Sequence, residues 1–467
     1  MSKYEVQVLN ILLASFLLFA NSEVSAQEEG RLLGSWSDST LVSSAVFGNA
    51  YNEVWGYAAR NREYAIIGST SGTHFIDITD PTAPDHLHLI EGGSTGPVII
   101  HRDYHDYQGY LYAVSDEGNE STLQIMDLSF LPDSVPVVYD SKELIRRSHN
   151  IFIDTSSAIL YCCTTAGESL PLVQLRTFDL TNPTQPELIR SYTDIGDFIL
   201  GDAHDIFVRN DTAYINAGNF GMVVADFSDP LEPIELAALS TADYPDSGYN
   251  HSGWLSADGT TYVLADETWN RAVKIMDVSS LPDIEVTSLV DADNESIFSI
   301  PHNEIIHNNF LYVAYYYDGL QVYDIAKPED PKRIMHFPTS TLAPRRSFEG
   351  AWGVYPFLDS GVILVSDMQE GLLIIEGVER LINSNEELGL DGSELVISPN
   401  PTSGSFSLSL EQGLSNSKIT ISSITGEHIQ NLDNSGHYNL NLQSGVYIIK
   451  IQKKDNSEII RKIVVAN

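Results

Sequence analysis

An apolar strand that ends in an acidic residue recurs about every fifty residues, and this repeat predicts an all-β fold: a seven-bladed β-propeller followed by a small antiparallel β-sandwich. Each repeat also holds a second apolar strand, such as "YLYAVS" or "TYVLAD", and a glycine-containing turn. Four short strands in ~50 residues are typical of one propeller blade. The acidic residues are Asp77, Asp127, Asp179, Asp226, Asp277, Asp324 and the divergent Glu376, at intervals of 47 to 52 residues.

The recurring aspartates are predicted to be turn residues. Each follows a strand and precedes a segment rich in Ser, Thr and Pro, as in "FIDITDPTAP" and "TFDLTNPTQP". An aspartate in this place can accept a hydrogen bond from the backbone amide two residues on, and proline then stops strand pairing. We therefore expect these carboxylates to have a structural role and not a chemical one.

The last repeat contains only three strands, and a segment near the N-terminus is predicted to supply its fourth. Residues 31–38, "RLLGSWSD", resemble the outer strand "ELIRSYTD" of another repeat but precede the first one. We expect the strand around Leu32 to Trp36 to complete the seventh blade, which closes the ring and leaves few unpaired strand edges.

The first 26 residues are predicted to be a signal peptide. Lys3 precedes the apolar stretch "ILLASFLLFA" at residues 11–20, and "VSA" ends at Ala26, as cleavage sites do. The stretch is too short to span a bilayer, which takes about 20 residues, so we expect no transmembrane segment in the mature protein. The predicted organisation is signal peptide 1–26, propeller 27–380, linker 381–395 and β-sandwich 396–467.

The chain is strongly acidic and poor in cysteine. It has 25 Lys and Arg against 64 Asp and Glu, a formal net charge of −39 at pH 7, which argues against nucleic acid or an anionic membrane as a partner. From residue 396 onward there are five acids and six bases, so the acidity belongs to the propeller. The two cysteines, Cys162 and Cys163, are adjacent in a strand and face opposite sides of it, so we expect buried free thiols.

Aligning the repeats on their acidic residues brings the starts of the first strands into register. Histidine occupies this position in four consecutive repeats. The first strand of a propeller blade lines the central channel, so these side chains are predicted to surround one mouth of the channel. The candidate binding residues at the mouth are Trp55, Arg102, His149, His204, His251, His302 and Trp352.

Loops that end the second strands return to the same mouth and carry carboxylates. Imidazole beside carboxylate suits a divalent metal ion, which is the cofactor class that the sequence suggests, or general acid–base chemistry. A hydrogen-bonded network that only stiffens the channel is the structural alternative. The candidate metal ligands are His149, His204, His251, His302, Asp116 and Asp266. The chain has no H-E-x-x-H motif and no phosphate-binding glycine loop, which favours a protein that is not an enzyme.

Several segments resemble the choice-of-anchor B family, whose blades are LVIVD-type repeats. They include "NEVWGYAA", "YAVSDEG", "SHNIFID", "YNHSGWLSADGTTYVLADE" and "FEGAWGVYPFLDSGVILVSDMQEGLLII". The resemblance runs from about residue 30 to residue 378 and touches every blade. It implies an extracytoplasmic β-propeller attached to the cell surface, and it assigns no catalytic residue.

The C-terminal segment resembles the type A sorting domain of the type IX secretion system. The matching residues of the motif are Pro399, Asn400, Pro401 and Gly404 in "ISPNPTSGSFSLSL" and Gly445 in "LQSGVYIIKIQ". The resemblance implies that the secretion machinery recognises this domain, carries the protein across the outer membrane and removes the domain. The propeller is then anchored at the cell surface or released.

Two functions of different classes follow from the sequence. The leading hypothesis is a non-enzymatic surface propeller that binds a protein, glycan or cation through its loops, because loops on a rigid scaffold are a common place for binding sites. The alternative is a metal-dependent surface hydrolase that uses the histidines and carboxylates of the channel mouth.

Overall fold

The protein is described by a computed structural model in which nearly all regular structure is β-strand. The chain divides into two compact units, Met1–Arg380 and Leu381–Asn467. The predicted signal peptide and nearly all of the predicted linker lie outside the described residues. The residues that the structure describes are 28–292, 296–378, 395–398, 402, 405–410, 418–423, 428–440, 442, 445–452 and 458–465.

Seven four-stranded antiparallel sheets make up the described part of the first unit, and we number them in chain order. Sheet 1 has strands Tyr51–Ala59, Arg62–Ser69, Gly72–Asp77 and Asp85–Glu91, and sheet 2 has Arg102–Tyr107, Tyr110–Ser115, Leu123–Asp127 and Val137–Ser141. Sheet 3 has Ile151–Asp154, Ile159–Thr165, Val173–Asp179 and Glu187–Tyr192, and sheet 4 has Asp205–Arg209, Thr212–Asn216, Met222–Asp226 and Ile234–Leu239.

The remaining sheets repeat the same order. Sheet 5 has Asn250–Leu255, Thr261–Asp266, Val273–Ser280 and Asp283–Val290, and sheet 6 has Glu304–His307, Phe310–Tyr315, Gly319–Asp324 and Lys332–Phe337. Sheet 7 has Ala351–Tyr355, Ile363–Asp367, Gly371–Ile375 and the N-terminal strand Leu32–Trp36. A short strand, Glu28–Glu29, adds to the edge of sheet 6 in parallel, and Asp194–Ile195 pairs with Phe198–Ile199 between sheets 3 and 4.

The sheets are arranged around a central channel. The first strand of each sheet contacts the first strand of the next, and the first strand of sheet 7 contacts that of sheet 1. Apolar side chains fill the wedges between neighbouring sheets, as Phe75 of sheet 1 and Leu111 of sheet 2 do in one fully buried cluster. Burying one such side chain stabilises the fold by ~1.5–3 kcal/mol. The predicted all-β propeller class is confirmed.

The predicted closure by the N-terminal strand is also confirmed. Leu32 pairs with Ile375 and Trp36 with Leu372, in antiparallel register. The Trp36 indole stacks on the ring of His86 in sheet 1, with centroids 4.9 Å apart. Segments from the two ends of the propeller sequence therefore share one sheet.

The repeated aspartates form the predicted turns. In all six, a carboxylate oxygen accepts a hydrogen bond from the backbone amide two residues on, at 2.6 to 2.9 Å. These turns join third strands to fourth strands, and we call the side of the propeller that carries them the turn face. Because the strands are antiparallel, the loops from second to third strands and from one sheet to the next lie on the opposite side, which we call the mouth face.

The second unit contains two antiparallel sheets in its described part. One has Leu395–Ser398, Ser405–Leu410 and His437–Asn439, and the other has Lys418–Ser423, His428–Leu432, Gly445–Gln452 and Glu458–Val465. Phe406 and Tyr438 of the first sheet pack in one core with Ile421 and Ile449 of the second, as a small β-sandwich requires. Within the described residues, we find no helix with the length and hydrophobicity that crossing a membrane requires.

Candidate functional site

Six side chains with aromatic rings surround the channel on the mouth face, and we call them the histidine ring. They stand at or just before the starts of the first strands of sheets 2 to 7. Successive centroids are 4.4, 4.0, 4.1, 4.5 and 4.4 Å apart, and the first and last members close the ring at 5.6 Å. In order, the members are His101, His149, His204, His251, His302 and Trp352.

Hydrogen bonds fix the orientation of two of these histidines. His302 Nδ1 donates to the backbone carbonyl of Trp352 at 2.7 Å, which leaves Nε2 of the neutral ring as an acceptor. His149 Nδ1 lies 2.9 Å from Oδ2 of Asp116. His204 Nδ1 is buried and has no hydrogen-bond partner among the residues that the structure describes.

Burial keeps most of the ring histidines neutral, because it penalises the charged form. It lowers the pKa of His101, His204 and His251 well below the usual range and lowers the pKa of His302 to about 3. Burial opposes protonation of His149 as well, but the hydrogen bond and the charge of Asp116 together outweigh it and raise the pKa of His149. The ring thus combines imidazoles that favour the neutral form with one, His149, that binds a proton more readily than a free histidine does.

Glu267 brings a second carboxylate to the ring. Its Oε2 lies 3.9 Å from Nε2 of His251, and its Oε1 lies 4.0 Å from Nε2 of His302. The hydroxyl of Tyr316 donates to Oε1 at 2.6 Å and fixes the carboxylate. Burial raises the pKa of Glu267 to about 7. One potential metal-ligating atom from each of His204, His251 and Glu267 lies within 4.8 Å of the other two.

Aromatic residues from the mouth-face loops pack over the ring. Tyr316 contacts His302 at a centroid distance of 4.9 Å and Phe348 at 5.6 Å. Phe348 in turn contacts Trp269 at 5.1 Å and Phe47 at 5.4 Å. His251 is only 2% exposed and His204 9% exposed. The ring histidines are therefore largely shielded from solvent.

The structure brings five of the seven predicted mouth residues together, namely His149, His204, His251, His302 and Trp352. Trp55 and Arg102 do not join them. Trp55 lies further along the channel, where its Nε1 donates to Asp106 at 2.9 Å. Arg102 is buried between sheets 1 and 2, where it donates to the carbonyls of Ser69 and Ser94 at 2.8 and 2.9 Å.

Of the two predicted carboxylate ligands, Asp116 is placed at the ring and Asp266 is not. The Asp266 carboxylate turns into the sheet and pairs with the Lys274 ammonium at 2.5 Å, with both side chains fully buried. Burial raises the pKa of Asp266, although Lys274 opposes this. Asp266 therefore forms an ion pair within sheet 5 and is not placed at the ring.

The sequence argument did not select two residues of the site, the ring member His101 and the carboxylate Glu267 beside the ring, and each is adjacent in sequence to a selected residue. His101 precedes Arg102, which begins the first strand of sheet 2. Glu267 follows Asp266, and successive residues of a strand point in opposite directions. The sequence feature that could have identified His101 and Glu267 is the alternation of polar and apolar residues along their strands.

A layer of buried acidic and amide side chains lines the channel below the histidine ring. Burial raises the pKa of Glu53 and of Glu304 to about 8 and that of Asp205 to about 6, and it raises the pKa of Asp103 well above its usual range. Asn303 Nδ2 donates to Glu53 at 2.6 Å. These carboxyls favour their protonated forms because the channel gives them little solvent.

Exposed apolar side chains are concentrated on the mouth face. Only Phe130 and Leu231 occupy comparable positions on turn-face loops, among the described residues of the first unit. The mouth-face set is 39–65% exposed and consists of Val42, Val46, Val98, Leu172, Ile199, Phe220, Ile297 and Leu342. Apolar side chains collected on one face can form a protein–protein contact.

Family models match two segments of the chain. An LVIVD repeat matches residues 200–241, which contain all of sheet 4, and a secretion system C-terminal sorting domain matches residues 396–466. No curated protein matches the chain. Solved structures similar to it include the structure of U3-55K and the crystal structure of RRP9 WD40 repeats. Each has a TM-score of 0.49 and is 9% identical to this chain. Each match covers 74% of this chain, and it covers 98% of the U3-55K chain and 97% of the RRP9 chain.

These matches agree with the two units of the chain. The LVIVD segment is one of seven sheets with the same strand order, and the sorting-domain segment contains both sheets of the second unit. Gly445 of the predicted sorting motif begins a strand, and Pro399, Asn400, Pro401 and Gly404 lie outside the described residues. One segment of the propeller thus matches the LVIVD repeat, and the C-terminal segment matches a sorting domain, which indicates export by type IX secretion to the outer-membrane surface or the extracellular space.

Proposed function

We propose that the protein is a non-enzymatic binding module that captures a protein partner on the mouth face of its propeller. In this proposal residues 27–380 form the binding unit, and residues 396–467 serve export. The observation that carries the proposal is the concentration of exposed apolar side chains on that face. Water-exposed apolar area is costly, and burying it against a partner recovers ~25 cal/mol per Å².

The rigidity of the scaffold supports this function. Each sheet is covered on both sides by its neighbours, and the N-terminal strand closes the ring, so the mouth-face loops are held at fixed positions. Binding then loses less conformational entropy than it would with mobile loops. The net charge of −39 favours a partner that is neutral or basic on its contacting surface.

Sheet 4 and its loops offer a matched test. Ile199 and Phe220 lie on its mouth-face loops and are 62% and 46% exposed. Leu231 and Ile234 belong to the same repeat, lie at its turn-face end and are 54% and 61% exposed. The double variant Ile199→Ser/Phe220→Ser removes apolar area from the proposed face, and Leu231→Ser/Ile234→Ser removes a similar area from the other side.

The experiment screens the purified chain against immobilised extracellular proteins and polysaccharides, and then repeats each positive measurement with both variants. We expect a protein partner whose affinity falls at least about tenfold with the mouth-face variant, equivalent to about 1.4 kcal/mol, and is unchanged with the turn-face variant. Equal loss with both variants, or binding only to polysaccharide, would refute the proposed face or the proposed partner class.

The alternative function, a metal-dependent hydrolase, has one observation in its favour, the convergence of His204, His251 and Glu267. Metal-dependent turnover of ester, phosphoester or peptide substrates that disappears in Glu267→Gln would support it and would contradict a non-enzymatic role. The absence of turnover together with partner binding is the outcome that our proposal requires.

A further inference from the structure

We propose that the histidine ring holds one divalent transition-metal ion of the zinc type, with His204, His251 and Glu267 as its protein ligands. This site is independent of the apolar contact on the mouth face. The three residues come from the ends of strands in sheets 4 and 5, and their ligand atoms lie within 4.8 Å of one another. Two imidazoles and a carboxylate are a common ligand set for zinc.

The burial of the ring suits metal binding. Coordination needs an imidazole nitrogen with a free lone pair, and His204 and His251 are only 9% and 2% exposed. Nδ1 of His204 is a buried polar atom without a hydrogen-bond partner among the described residues, as is Nδ1 of its ring neighbour His251 and of His101. Buried polar atoms are nearly always hydrogen-bonded, so such an exception calls for an explanation, and a bound cation supplies one.

The surroundings of Glu267 also suit a ligand. Tyr316 donates a hydrogen bond to its Oε1, which orients the carboxylate and leaves Oε2 directed at His251. Hydrogen bonds of this kind from a neighbouring residue orient the ligands of natural metal sites. His302, whose Nε2 lies 4.0 Å from Glu267 Oε1 and whose Nδ1 is bound to a carbonyl, is placed next to the three ligands.

The burial of the ring favours an ion over a larger ligand. Phe348 and Trp269 cover the ring from the mouth face, and His251 is 2% exposed. A metal ion needs only a narrow path, whereas a sugar or peptide would require these aromatic side chains to move. The three proposed ligands include two imidazoles, which favour zinc or cobalt over calcium.

The test titrates the full chain, first treated with a chelator, with Zn²⁺, Co²⁺ and Ca²⁺. Calorimetry gives the stoichiometry, and the visible absorption of bound Co²⁺ reports its coordination number and geometry. Thermal midpoints with and without Zn²⁺ provide a second measurement. We expect one equivalent of Zn²⁺ or Co²⁺ and a higher midpoint in the presence of Zn²⁺.

Single substitutions assign the ligands. Glu267→Gln keeps the shape of the side chain and its contact with Tyr316, and His251→Asn and His204→Asn remove one imidazole each. Each is expected to weaken Zn²⁺ binding at least about tenfold and to abolish the midpoint shift, while His88→Asn on an outer strand leaves both unchanged. The metal-free midpoints of the variants show whether they fold.

Three outcomes would overturn the site. The first is a wild-type chain that binds no stoichiometric Zn²⁺ or Co²⁺. The second is Zn²⁺ binding that survives all three ligand substitutions in folded protein. The third is Ca²⁺ binding as tight as Zn²⁺ binding and insensitive to the histidine substitutions, which would place the ion in the acidic layer below the ring.

Discussion

The substitution Glu304→Gln is expected to stabilise the propeller at neutral pH and to have almost no effect in mild acid. Glu304 is 3% exposed and lines the channel between sheets 5 and 6. The Ser252 hydroxyl lies 2.7 Å from the carbonyl oxygen of His302 and 2.8 Å from Glu304 Oε2. A hydroxyl has one hydrogen, so when it donates to the carbonyl it accepts best from a protonated Glu304, or from an amide in its place.

The magnitude follows from the pKa of Glu304, which burial raises from 4.5 to about 8. Because the folded state binds this proton more tightly, the contribution of Glu304 to stability is complete below pH 4.5 and is lost as the pH rises towards 8. The loss is about 1.4 kcal/mol per pH unit. At pH 7 the free energy of unfolding of the wild-type chain is therefore about 3 kcal/mol lower than in acid. The glutamine variant has no carboxyl to ionise and does not show this decrease.

The assay is urea unfolding followed by tryptophan fluorescence, at about pH 5 and about pH 7.5, with the linear extrapolation of the free energy of unfolding. The control Glu285→Gln changes an exposed glutamate on a neighbouring strand and is expected to alter stability by less than about 0.5 kcal/mol at either pH. A Glu304→Gln chain that is less stable than wild type at both pH values would refute the reasoning.

Three further predictions concern the scaffold. Deleting the strand Leu32–Trp36 leaves the edge of sheet 7 unpaired and is expected to lower the free energy of unfolding by at least about 3 kcal/mol, with faster proteolysis; an unchanged urea midpoint would contradict the closure. Lys274→Met leaves the Asp266 carboxylate buried without its partner and is expected to cost ~3–5 kcal/mol in the same assay, far more than Lys332→Met, which breaks an exposed pair. Cys162 and Cys163 are buried free thiols, and burial raises their pKa values. A thiol reagent is therefore expected to label them only after unfolding. Rapid labelling of the native protein would contradict their burial in sheet 3.

The repeat made the fold predictable from the sequence. The aspartate turns, the four-strand units and the closing strand each follow from local rules of strand pairing and turn chemistry, and the turn rule holds in six of the seven sheets. The N-terminal strand was identifiable because its sequence resembles the outer strand Glu187–Tyr192 of sheet 3. Local patterns of this kind need no knowledge of distant contacts.

The candidate site was predictable only in part, because its members depend on the register of each strand. A shift of one residue exchanges His101 for Arg102 and Glu267 for Asp266, and it decides which side chain enters the channel. Trp55 was misplaced because the first strand of sheet 1 is longer than the others and begins at Tyr51. The buried partner Lys274 of Asp266 lies eight residues on, and its pairing depends on the cross-strand register of sheet 5.

Hydrogen exchange of the propeller with and without the partner found by the binding screen tests most directly whether the mouth face is the functional face. Our account predicts that the partner slows exchange in the mouth-face segments of the sheet 4 repeat, residues 196–202 and 217–221, and leaves residues 227–233 on the turn face unchanged. Slower exchange confined to residues 227–233 and the equivalent turn-face segments of the other sheets would contradict it.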